Sequence, residues 1–317
     1  PAPSRAPSPP MNDVFEAHRA RMDDGFELAA YRALPEGTPK GTLYVAHGVA
    51  EHARRYAPLA AAFAAAGWEV HTHDWRGHGG STDADRPLGH LADRDSFGRA
   101  VADLRARLAE VRGEAPLVLL GHSGGSFHAQ RLVSETPEAM DALVLSGSNG
   151  PPPPIAAAGR LVARIERARC GRRKGSPILQ KLSFDDYNKA FAPNRTEFDW
   201  LSRDPAQVDL YANDPLCGFA LSTQGWVDLL DALPGLTKPE ALRRIPNALP
   251  VYVFSGDRDP VGQFGKGVLQ LVERLRSAGI KDLTLDLYPE GRHEMLNETN
   301  AEEVRAKLLA WCQRVTA

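Results

Sequence analysis

Cysteine is scarce in this chain. Among 317 residues there are three, Cys170, Cys217 and Cys312, with no Cys-x-x-Cys pair. Neither a disulfide framework nor a zinc knuckle is written in that spacing, so free thiols in a reducing, cytoplasmic compartment are expected. Long apolar runs are also missing. Nothing approaches the roughly 18 residues that a membrane-spanning helix requires, and no signal-peptide-like apolar stretch lies near the start. Neither sign of charge is in excess: 38 Lys and Arg against 40 Asp and Glu leave a net charge of -2. That balance offers no broad electrostatic attraction to nucleic acid. No internal repeat occurs, and low complexity is confined to PAPSRAPSPP at 1–10 and to Pro151–Pro154. The first is expected to be a disordered leader before a natural start at Met11.

Hydrophobic residues are 43% and charged residues 25% of the chain, which is ordinary globular usage. The length fits one large α/β domain or a core with an inserted subdomain. Asp23-Asp24-Gly25, between Phe15–Arg21 and Phe26–Tyr31, carries a hairpin signal. Short apolar strands are predicted at Thr42–Ala46, Glu69–His73, Leu117–Leu120, Ala142–Leu145, Val251–Phe254 and Leu283–Tyr288. Helical segments at Tyr56–Ala66, Phe97–Val111, Phe127–Glu135 and Val268–Ala278 alternate with them, and Ala301–Val315 closes the chain. This alternation argues for a parallel sheet covered on both faces. It breaks after Ser148, and about a hundred residues pass before Val251, too many for a bare loop. An apolar stripe of Ile155, Leu161, Val162 and Ile165, with helical pieces at Asp185–Phe191 and Thr223–Leu233, predicts a helical cap. The expected organisation is a core of 11–148 and 247–317 with a cap at 149–246.

Gly121-His122-Ser123-Gly124-Gly125 follows the apolar run Pro116–Leu120 and precedes a helix-compatible stretch. A serine is thus set on a sharp strand-to-helix turn, a nucleophile elbow. Its hydroxyl is a weak nucleophile at neutral pH and needs a histidine base oriented by a carboxylate. The chain order for this arrangement is serine, acid, histidine. The loops after the last two strands supply Asp257 or Asp259, then His293. Asp259 lies far enough beyond the strand to turn back toward the serine, whereas Asp257 suits a turn or an ion pair. The bland reading of His293 is a surface histidine on a turn. An oxyanion would need two backbone N–H groups, expected from Gly124 and from Val49 in His47-Gly48-Val49.

Together, His47–Tyr56 (HGVAEHARRY), Asp74–Ser81 (DWRGHGGS) and the elbow resemble the α/β-hydrolases of the monoacylglycerol lipase and lysophospholipase group. With Gly256–Asp259 and Arg292–Glu294, the resemblance covers nearly the whole chain after the leader. It implies an eight-stranded, mostly parallel core with a lid, and a serine carboxylic ester hydrolase using Ser123, His293 and Asp259 without cofactor or metal. The implied partner is a small lipid or ester substrate, a monoacylglycerol first, with lysophospholipids or short-chain esters as alternatives. Members commonly carry a methionine after the nucleophile, so Gly124 is expected to widen the acyl pocket.

Other signals compete. His71, His73 and Asp74 cluster on one strand, but their spacing matches no metal motif, and they are read as strand and loop residues. Glu51 and His52 beside the oxyanion loop are read first as a hydrogen-bonded scaffold, with substrate contact as the alternative. Arg160, Arg164, Arg167, Arg169, Arg172, Arg173 and Lys174 accompany the cap stripe, a pattern compatible with transient contact at an anionic lipid surface or with a solvated helix face. Asp185, Asp186, Glu197 and Asp199 would suit a free amine, as in prolyl aminopeptidases, although those usually have tryptophan after the nucleophile. A non-enzymatic ligand receptor is a further alternative, disfavoured by the serine, acid and histidine set. Oligomeric state is not encoded in these patterns.

Overall fold

The computed structural model describes residues 14–316, apart from the side chains of residues 184–186. The leader and Met11 lie outside the described residues. Eight strands form one sheet in the order β1-β2-β4-β3-β5-β6-β7-β8. β1 (Glu16–Arg21) and β2 (Glu27–Ala33) make the expected hairpin, and β2 also runs antiparallel to β4. β3 (Gly41–Ala46), β4 (Trp68–His73), β5 (Leu117–His122), β6 (Ala142–Ser146), β7 (Val251–Gly256) and β8 (Leu283–Tyr288) are parallel.

The central strands read as continuous apolar runs because both faces are covered. Leu43, Val45, Val118, Leu120, Val144, Tyr252 and Phe254 point to one face, toward α1 (Ala57–Ala65) and the C-terminal helix. Tyr44, Leu117, Leu119, Leu143, Leu145, Val251 and Val253 point to the other, toward α2 (Ser96–Val111) and α3 (Gly124–Glu135). Each large side chain buried this way contributes about 1.5–3 kcal/mol. α3 begins three residues before the predicted Phe127, because the helix starts at the elbow itself, where glycines hide the apolar period.

Between β6 and β7, residues 147–250 carry α4 (Ala156–Cys170), short turns α5 (Pro177–Gln180) and α6 (Asp186–Asn188), α7 (Pro205–Ala212), α8 (Thr223–Leu236) and α9 (Pro239–Leu242). Of the apolar stripe, Val162 packs against the cap cluster, whereas Ile155, Leu161 and Ile165 are 74%, 61% and 56% exposed. The buried side of α4 is Ala163, in a cluster with Trp226 and Val227 of α8. Leu236, Leu242, Ile245 and Leu249 rejoin the core cluster below the sheet. α10 (Lys266–Ser277) and α11 (Ala301–Val315) complete the chain. Among the described residues, no helix is long and apolar enough to cross a membrane.

Candidate active site

The carboxyl ends of parallel strands are where an open α/β sheet collects its loops. Ser123 follows β5 with φ 50° and ψ -120°, a conformation that costs about 1–3 kcal/mol and persists only when its surroundings impose it. Its N–H donates to the Ser146 carbonyl at 2.9 Å, tying the elbow to β6. The flanking glycines are steric requirements. A Cβ on Gly121 would sit 2.6 Å from the Gly125 carbonyl oxygen, and one on Gly125 would sit 2.2 Å from that of Ala46.

His293, after β8, lines a pocket with Ser123, Gly48, Val49 and His122. Its Nδ1 lies 3.0 Å from Asp259 Oδ2. Asp259 is fully buried and also accepts from Ser255 Oγ at 3.1 Å and from the Val261 N–H at 2.9 Å. Burial alone would hold His293 neutral, but the Asp259 charge and hydrogen bond outweigh it, and the pKa lies above the ordinary imidazole value. Asp257 turns elsewhere, accepting the Glu290 N–H at 2.7 Å. His122, packed 4.8 Å from the His293 ring, is pushed down to about 4 by burial and by the His293 charge.

The loop after β3 is held from several directions. The His47 ring contacts the Gly48 carbonyl through Nδ1 at 2.8 Å and accepts the Trp75 N–H through Nε2 at 3.0 Å. Burial keeps His47 well below its ordinary pKa. His78 Nε2 accepts the Ala50 N–H at 3.3 Å. Asp74 accepts from the Ala53 and Gly80 N–H groups and from Tyr31 Oη. His71 and His73 pair with Glu69 and Tyr44, so the three residues weighed as metal ligands diverge. Glu51 accepts the Gly48 N–H at 2.5 Å, Tyr56 Oη at 2.9 Å and Arg55 Nη1 at 2.6 Å.

A Cβ built on Gly124 falls 3.3 Å from the Val49 nitrogen, so the two backbones are in contact. It also falls 2.7 Å from Val49 Cγ2 and 3.1 Å from Trp75 Cη2. The expected widening beside Gly124 is therefore absent, because the Val49 side chain and Trp75, which stacks 4.7 Å from His47 and tilts against His128 at 4.3 Å, fill that space. Two recesses meet at Val49, and Gly124 lines the second. One, shared with Ser123 and His293, presents Glu51, Tyr211 and Glu294. The other is mostly apolar, lined by Trp75, Leu91, Phe97, Leu221 and Leu229.

Trp200, Leu201 and Tyr211 were not singled out by sequence. They come from the excursion between β6 and β7, which carries no motif around them. The Trp200 ring lies 4.9 Å from His293, and the Leu201 carbonyl accepts the Glu294 N–H at 2.8 Å. Among the acidic residues weighed for amine binding, Asp199 is consumed by the Arg195 and Thr196 N–H groups and Thr196 Oγ1. Glu197 is exposed, and the Asp185 and Asp186 side chains lie outside the description.

Residues 37–300 match the family described as serine aminopeptidase S33 (Hydrolase_4). The chain is 30% identical over 285 residues to a monoacylglycerol lipase of Mycolicibacterium smegmatis, covering 87% of this chain and 89% of that one. It is 28% identical over 321 residues to the human monoglyceride lipase, covering 100% and 96%. A thermostable carboxyl esterase from Bacillus coagulans shares the fold, with a TM-score of 0.83 at 24% identity over 96% of this chain and 99% of that one. Eight strands in this order, an elbow serine at their carboxyl ends and a family match across most of the chain lead to one conclusion: the protein belongs to the serine aminopeptidase S33 family of α/β-hydrolases, a group of serine hydrolases.

Proposed function

We propose that this serine ester hydrolase cleaves a monoacylglycerol to fatty acid and glycerol through an acyl-enzyme. Ser123 attacks the ester carbonyl, His293 takes its proton and returns it to the leaving alcohol, and water activated by His293 then attacks the acyl-enzyme, releasing the fatty acid and returning the proton to Ser123. Asp259 engages Nδ1, which leaves Nε2 as the base and stabilises the imidazolium. The N–H groups of Val49 and Gly124 receive the oxyanion, aided by the positive end of α3.

The observation that carries the substrate reading is the mostly apolar recess beside Gly124, which shares Val49 with the recess of Ser123 and His293. An apolar recess suits one acyl chain, and the recess of Ser123 and His293, where Glu51, Tyr211 and Glu294 lie beside Trp200 and Leu201, is the place for the alcohol. The names of the relatives from Mycolicibacterium smegmatis and human support the same class. Residues 149–246 serve as the cap, within a core of 11–148 and 247–317. Its exposed Ile155, Leu161 and Ile165 support transient contact with a lipid surface. Three cysteines without a bridge support a cytoplasmic setting.

The deciding experiment is fatty acid release from a long-chain monoacylglycerol by wild type and by Ser123→Ala of confirmed folding. Release that vanishes in the variant is expected. No release by the wild type moves the substrate to lysophospholipids, short esters or amino-terminal peptides.

A further inference from the structure

Beside the oxyanion loop, but outside the pocket of Ser123, three side chains converge with the donors of a metal site. One ring nitrogen of His52, a carboxylate oxygen of Asp214 and Sγ of Cys217 lie within 4.8 Å of one another. We propose that His52, Asp214 and Cys217 bind a borderline-soft divalent cation of the zinc and cadmium class, with water completing its coordination.

The donor set of imidazole, carboxylate and thiolate is the one such ions select. His52 Nε2 and Asp214 Oδ2 are 2.9 Å apart. A tetrahedral ion with N and O ligands at about 2.0–2.1 Å separates those atoms by about 3.3 Å, so it replaces their hydrogen bond with an opening of a few tenths of an ångström. Asp214 and Cys217 are spaced by a single turn, closed by the Cys217 N–H to the Asp214 carbonyl at 3.0 Å. The Leu216 N–H donates to Asp214 Oδ1 at 2.8 Å and orients the carboxylate, the kind of outer support that metal ligands receive.

The surroundings favour a cation. Glu51 and Glu294 share one guanidinium, Arg55, so with Asp214 the neighbourhood carries surplus negative charge. Access exists as well: the Asp214 side chain is 27% exposed and Cys217 is half-buried. Binding releases the thiol proton to solvent and uses His52 as neutral imidazole. No motif announces the site, since His52 and Asp214 are 162 positions apart. The ion would fasten the segment after α7 to the oxyanion loop, where the Ala50 carbonyl already accepts the Gly218 N–H at 2.9 Å and Tyr211 Oη at 2.8 Å.

The test is titration of the whole chain with Cd²⁺, following the ultraviolet thiolate-to-metal absorption, stoichiometry by equilibrium dialysis, and thermal unfolding. One ion per chain is expected, with the thiolate band and a rise in Tm of roughly 5 °C at about a hundred times Kd. Cys217→Ser should lose the band and the shift, and Cys170→Ser should keep both. A wild type that binds no Cd²⁺, or binds it without the band, overturns the site, as does a band that persists in Cys217→Ser.

Discussion

Arg55 and Glu294, 239 positions apart, meet through two hydrogen bonds, Nη1 to Oε1 at 2.7 Å and Nη2 to Oε2 at 2.6 Å. The same Nη1 also donates to Glu51, which holds the Gly48 N–H. One buried guanidinium thereby joins the loop of Val49 to the loop of His293. Arg55→Met would leave two carboxylates buried without a counter-charge and should cost about 3–5 kcal/mol in urea unfolding. A loss under about 1 kcal/mol would mean that water reaches them. Burial raises the pKa of both glutamates, but the Arg55 charge outweighs it and holds them below the ordinary value. Their stabilisation is therefore complete at neutral pH and lost as pH falls through the depressed folded values, so the Arg55→Met penalty should shrink in acid.

In its proposed role as base, His293 must be neutral to accept the Ser123 proton. Its folded pKa is raised by Asp259 above the ordinary imidazole value, so kcat/KM should fall as pH drops through a value above about 6.5. The linkage for stability runs the other way: the ion pair with Asp259 stabilises the fold at low pH and fades as pH rises through that value. A kcat/KM profile whose acid limb lies below the ordinary imidazole range would contradict the pairing.

The two aspartates after β7 should separate cleanly. Asp259→Asn keeps the size but removes the charge facing His293 Nδ1, and turnover should fall about 10³–10⁴-fold. Asp257→Asn alters only the hydrogen bond to the Glu290 N–H, so turnover should stay within a few-fold and stability within about 1 kcal/mol. Equal losses in the two variants would remove Asp259 from its assigned role.

At a lipid surface, the apolar residues of α4 should matter more than its arginines. Arg160 and Arg164 share Asp231, Arg169 pairs with Glu166, and Arg173 pairs with Asp93 and Asp85. Replacing Ile155, Leu161 and Ile165 together by serine should lower co-sedimentation with anionic liposomes several-fold, with hydrolysis of a soluble short-chain ester unchanged. Unchanged co-sedimentation would take the surface role away from this helix.

Much of the fold was legible because strand and helix periods differ and because short apolar runs such as Leu117–Leu120 mark strands covered on both faces. Ser123 was legible because an elbow demands glycines at fixed offsets, and the contacts a Cβ would make at Gly121 and Gly125 give the reason. The stripe marked α4 as a helix but not the direction in which its apolar residues point. Periodicity reveals that a helix has an apolar face but not what that face meets, and here Ala163 and Val162 pack in the cluster with α8 while Ile155, Leu161 and Ile165 stay exposed.

By itself the sequence determined the sheet, the elbow and the order of serine, acid and histidine, since these depend on local backbone sterics and on which strand ends precede which loops. Only the tertiary structure shows which partner each of Asp257 and Asp259 meets, the Glu290 N–H for one and His293 for the other, although they differ by two positions. It also decided that the Val49 side chain and Trp75 fill the space beside Gly124, that Trp200 and Tyr211 reach the pocket, and that His52 meets Asp214 and Cys217. Each of these is a contact between segments far apart in the chain, fixed by packing rather than by any local pattern.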